Sequence, residues 1–190
     1  MIRPHDKLFK QIQGSIRVGL FDTVRHQFKT LYEQRNLFMK SGADLVAALL
    51  GGGQNLQLRG MYLEFDNSGG AISAPSYDRD SDISYYTSSL GANRDFLRLP
   101  LAAQPVFTAT DATYTGNQIS FFAITAGLRG VNDEQDFQTG SKIYGGALVA
   151  TPDLDDQSQD FIAARTYWVA DAVEKDATHQ VAVQWLLTVY

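Results

Sequence analysis

Apolar residues change their spacing part-way along this chain. Leu8, Phe9 and Ile12 recur at intervals of three and four after Pro4. Leu20, Phe21, Val24, Phe28, Leu31 and Tyr32 fall on one helical stripe, with Arg25, His26, Lys29 and Thr30 between them. That spacing predicts two amphipathic helices, the first opened by a proline, which is tolerated at a helix start. Residues 36–40 are short and aromatic and read as a strand. Ser41 then offers an N-cap, with Asp44 in the capping-box place, and residues 45–50 continue as a short helix. Gly51, Gly52 and Gly53 stop it.

After the triple glycine the period becomes two. Residues 58–65 alternate as a strand, followed by a turn at 66–70 and an irregular loop over 71–82. Further strands are predicted over 83–87, 96–102, 106–109, 118–125, 142–151 and 160–169. Pro100 puts the second of these near a sheet edge. A polar segment, 127–141, is too long for a simple hairpin and reads as a contact loop. The last strand spans 180–190, with Val181, Val183, Trp185 and Leu187 on one face, and it is expected to pair inside a sheet. Strand–helix alternation is missing after residue 50. The fold class that follows is mainly β: an antiparallel β-sandwich or jelly-roll-like domain over 54–190, preceded by a basic, helical N-terminal arm over 1–53.

Composition adds three points. The chain has 190 residues, enough for one domain with its own core. It has no cysteine, which excludes disulfides, thiolate metal sites and cysteine nucleophiles. Charge is divided unevenly: residues 1–50 hold eight basic and four acidic side chains, and residues 51–190 hold eight and seventeen. A net +4 segment ahead of a net −9 domain suggests two surfaces with different partners. Arg17, Arg25, Lys29, Arg35 and Lys40 are the candidate interface residues. No apolar run is long enough to cross a bilayer, so a soluble chain with no membrane partner is expected.

Chemical motifs are sparse. Asp78, Asp80 and Asp82 alternate like the start of a calcium loop, because a hard cation needs several oxygen ligands. Ile83 stands where the turn glycine belongs and Ser89 where the bidentate glutamate belongs, so a solvated acidic loop is the competing reading. Asp153, Asp155, Asp156 and Asp160 form a second acidic stretch of the same ambiguity. Glu64 and Asp66 on one strand could supply paired carboxylates, although a pair facing solvent at a strand end is the simpler reading. His5, His26 and His179 have no ligand-like neighbours in sequence. No nucleophile elbow or phosphate loop is present. The expectation is a protein that is not an enzyme and needs no cofactor. Nucleic acid is not an expected partner, given the acidic domain and the absence of a recognised module.

The stretch from Asn36 to Gly53, followed by Leu58-Arg-Gly-Met-Tyr-Leu-Glu-Phe65, resembles the opening of tailed-bacteriophage virion proteins. Later stretches are similar to the same group: Asp82-Ile-Ser-Tyr-Tyr86, Asp95-Phe-Leu-Arg-Leu-Pro-Leu101, Ile119-Ser-Phe-Phe-Ala123 and Tyr144-Gly-Gly-Ala-Leu-Val149. The resemblance covers about residues 36–190. It implies a structural protein located in the virion and assembled in the host cytoplasm. The role implied is a tail subunit of baseplate, neck or fibre-attachment type, built into a homo-oligomer (a trimer or a ring) beside other virion proteins. A capsid decoration or cement protein fits the same residues. So does a host-surface or carbohydrate-binding module, with Tyr77, Tyr85, Tyr86 and Trp168 as stacking candidates.

Overall fold

The computed structural model describes residues 12–22, 24–38, 40–51, 57–66, 94–101, 106–108, 117–125, 139–153 and 156–189. They form ten strands and one α-helix. In chain order these are β1 (Ile12–Asp22), β2 (Gln27–Phe38), α1 (Lys40–Leu50), β3 (Gln57–Asp66), β4 (Arg94–Pro100), β5 (Val106–Thr108), β6 (Gln118–Ile124), β7 (Lys142–Thr151), β8 (Phe161–Tyr167), β9 (Val173–Glu174) and β10 (Gln180–Val189).

Every pairing is antiparallel, in the order β4-β3-β7-β8-β2-β1-β10-β6-β5, with β9 also on β7. The path folds into two sheets. One is β5-β6-β10-β1-β2; the other is β8-β7-β3-β4. β2 belongs to both, because Gln27–Asn36 pair with β1 whereas Leu37 and Phe38 pair with β8. The fold is an antiparallel β-sandwich.

Alternation explains which face of each strand is buried. Ile12, Ile16 and Val18 of β1, Met61, Leu63 and Phe65 of β3, and Leu97 and Leu99 of β4 point into one core. Phe121 and Ala123 of β6 and Val181, Val183, Trp185 and Leu187 of β10 complete it. The inward face expected for the last strand is therefore the observed one. Tyr32 of β2 stacks on Trp168 at 5.6 Å, tying the shared strand to the segment after β8. Burying such side chains contributes about 1.5–3 kcal/mol each.

The helical reading of the N-terminal segment is corrected over its described residues, 12–38. Residues 12–22 and 27–38 are strands, and α1 is the only α-helix among the described residues of 1–53. The apparent stripe from Leu20 to Tyr32 crosses a turn and a β-bulge. Asp22 Oδ1 accepts the N–H groups of Val24 and Arg25, both at 2.9 Å, and His26 takes a left-handed φ of 53° to close the turn. Val18 then pairs with Tyr32 but Gly19 with Thr30, so Leu31 is the inserted residue. A strand pair beside β10 buries the inward residues of β1 on a sheet face, which an isolated helix could not do. Residues 1–11 lie outside the described residues, as does the predicted strand at 83–87.

α1 begins at Lys40, slightly before the expected cap, and ends where Gly51 N–H bonds Ala47 O at 2.9 Å. It packs through Leu45 on Ala150 and Ala163 of the β8-β7-β3-β4 sheet, with Ala43 and Val46 against the main core.

Candidate functional site

The outer side of that sheet carries a buried polar layer. Asp160, just before β8, receives both arms of Arg98: Nε donates to Oδ2 at 2.7 Å and Nη2 to Oδ1 at 2.6 Å. Tyr62 O–H donates to the same carboxylate. Arg98 Nη2 also donates to the Asp153 carbonyl at 3.1 Å, pinning the β7–β8 connection onto β4. Burial does most to push the Tyr62 phenol well above its ordinary pKa, and the Asp160 carboxylate adds to the push. Burial opposes the charge on Arg98, yet its bonds to Asp160 outweigh this and raise its pKa.

Further along the same strands, Arg165 of β8 donates to Glu64 of β3 at 3.4 Å and to the Tyr167 hydroxyl. Glu64 and Arg165 are 0% and 1% exposed. Tyr167 stacks on Tyr144 at 6.1 Å. The expectation that Glu64 and Asp66 face solvent is corrected: both are buried. Glu64 is engaged by a guanidinium, an arrangement that fixes the strands relative to one another.

In the second acidic stretch Asp155 lies outside the described residues, and the carboxylates of Asp156 and Asp160 are engaged by their own chain. Asp156 Oδ1 accepts from Ser158 N–H at 3.0 Å and Ser158 O–H at 2.6 Å. The Ser158 hydroxyl leads the groups that lower the Asp156 pKa. Asp160 is occupied by Arg98. Asp78, Asp80 and Asp82 lie outside the described residues, as do Tyr77, Tyr85 and Tyr86. Trp168 is buried, with Nε1 donating to Ile143 O at 2.8 Å, so it offers no face to a sugar. Among the described residues no three His, Asp or Glu side chains are grouped for a metal ion.

The basic candidates lie on a different surface. Arg17, Arg25, Lys29 and Arg35 are all exposed, and Lys40 is the first residue of α1. They do not form one patch. Arg17 Nε pairs with Glu33 Oε2 at 3.0 Å, the two side chains being 47% and 48% exposed. Arg35 stands opposite Ser15 on the same outer face, whereas the bulge moves Lys29 opposite inward-packed Leu20. Arg25 Nε lies 3.8 Å from Asp22 Oδ2 within the turn.

That outer face also carries aromatic rings. Phe122 of β6 meets Phe21 at 5.9 Å and Phe28 at 6.0 Å, both edge-to-face. The three are half-buried, and they lie on the face of the sheet opposite the core. Paired aromatics at Phe121 and Phe122 were the sequence signal for two apolar faces. The helical reading of 20–32 hid the other two rings. No protein-family model, curated protein or solved structure matches this chain. No described helix is long and apolar enough to cross a membrane.

Proposed function

We propose that this chain is a structural subunit of a bacteriophage virion, most simply of the tail, that assembles into a symmetric oligomer alongside other virion proteins. The observation that carries the proposal is the location of the basic residues. Arg17 and Arg35 are exposed on the outer face of a strand pair that is itself hydrogen-bonded into the sandwich, Arg25 is exposed in its turn, and Lys29 is exposed opposite Leu20. A rigid, charged and partly apolar surface of this kind suits docking to a neighbouring subunit. The buried polar layer supports the same reading from the other side of the molecule, since its side chains brace strands. The resemblance of residues 36–190 to tailed-phage virion proteins supplies the context. A capsid-decoration role draws on the same features.

The test is the mass of the purified chain in solution by light scattering, at low and at high salt. A closed symmetric oligomer that weakens with salt is expected. A monomer at every salt and protein concentration would overturn the proposal.

A further inference from the structure

We infer that a second copy of this chain docks on the outer face of β1 and β2 about a two-fold axis. The inference deepens the assembly reading by naming the face, the partner and the symmetry. It rests on that reading only in taking the partner to be the same chain.

The register of β1 against β2 places four outward pairs in a row: Phe21 with Phe28, Gly19 with Thr30, Arg17 with Glu33, and Ser15 with Arg35. An axis parallel to the strands and midway between them exchanges the members of each pair between two copies. Arg17 of one copy then lies over Glu33 of the other, and Glu33 over Arg17. Phe21 lies over Phe28 in the same way, and small Gly19 and Ser15 lie over Thr30 and Arg35. A two-fold interface must be self-complementary, because the same patch meets itself. This row satisfies that requirement in charge, in apolar character and in side-chain size.

The face has material to bury. Phe21, Phe28 and Phe122 are only half-buried, and Ile124 and Leu186 beside them are partly exposed. Leu31, the bulged residue on β2, is 45% exposed. The phenylalanines lie at the turn end of the row and the Arg17–Glu33 pair within it, so the face offers both apolar and charged contacts. The intramolecular Arg17–Glu33 bond is no obstacle, since a guanidinium has donors for two carboxylates.

The experiment uses three full-length chains: the natural one, Arg17→Glu and Glu33→Arg. At this pair the first variant places two carboxylates on each face and the second two guanidinium groups, with Arg35 beside them in both. Each is expected to weaken self-association about tenfold or more through like-charge contacts. Mixed in equal amounts, the two variants are expected to recover association as one-to-one heterodimers, seen as a single intermediate mass by native mass spectrometry. Loss of an internal salt bridge alone cannot produce that recovery. Melting temperatures within a few degrees of the natural chain would show that both variants fold, as expected for an exposed pair. Variants that keep the natural mass, or a mixture that stays dissociated, would overturn the inference. A natural trimer indifferent to both substitutions would overturn this face and leave the assembly reading standing; a natural monomer would overturn both.

Discussion

The Arg98 guanidinium lies side-on to the Asp160 carboxylate, two nitrogens against two oxygens at 2.7 and 2.6 Å. The pair joins β4 to the start of β8, strands that are not neighbours in the sheet. Removing one partner strands the other in a nearly dry layer. Arg98→Ala is expected to cost about 3 kcal/mol of unfolding free energy, at the lower end for buried pairs because Arg98 keeps some solvent contact. Urea titration measures it. A loss below about 1 kcal/mol would show that the pair behaves like a surface bridge.

Tyr62 makes the layer sensitive to alkali. Its folded pKa is raised, so its contribution to stability is present below the ordinary tyrosine pKa of about 10 and is lost as pH climbs above it. The natural chain should lose melting temperature more steeply than Tyr62→Phe between about pH 9 and 11. Parallel curves for the two proteins would refute the assignment.

Asp176 works in the opposite direction. The backbone N–H of His179 does most to hold its carboxyl below the ordinary range; burial opposes, and the Thr178 N–H and the His179 ring add to the pull. A depressed folded pKa contributes stability above the ordinary carboxylate range and loses it as pH falls below about 4. Asp176→Asn should therefore melt lower at neutral pH and show a flatter acid limb. Because Asp176 is largely solvated the effect is small, a few degrees at most, and differential scanning calorimetry from pH 3 to 7 resolves it.

Gly19 permits the bulge. A Cβ built there would sit 2.0 Å from the Lys29 carbonyl oxygen, on backbone that cannot swing away. Gly19→Ala should cost about 3 kcal/mol or more. Chemical denaturation beside the natural chain tests this; equal midpoints would mean that the two strands separate more easily than their register implies.

β10 lies between β1 and β6 and supplies four core side chains. Deleting residues 183–190 removes Val183, Trp185 and Leu187 and unpairs both neighbours. The truncated chain should show no cooperative thermal transition. A folded truncation would contradict the central position of this strand.

The legible parts of the fold were those where one face is simply apolar. Met61, Leu63 and Phe65 alternate with more polar neighbours, and so do Val181 and Val183, because one side of each strand meets the core. The strands at 12–38 were illegible for a local reason. The bulge at Leu31 breaks the alternation, and the turn before it is closed by His26 and Asp22, with no Asn-Gly or Gly-Gly to mark it. The buried polar layer was hidden for a tertiary reason. Glu64, Arg98 and Arg165 occupy the face that alternation assigns to solvent. Their burial depends on what packs over that face, which no local pattern encodes. The aromatic outer face failed through both causes, since two of its rings flank the unrecognised turn.

β1 is held on one side by its sequence neighbour β2 and on the other by β10, made almost a full chain length later. Residues 23–179 are therefore synthesised before the strand that pairs with the other edge of β1 exists. Until residues 180–189 emerge, Ile16 and Val18 have no β10 beside them, and one edge of β1 is open to any strand nearby. Closing so long a loop makes the search for the native pairing slow. Nascent chains are exposed to one another at that edge until residues 180–189 are made.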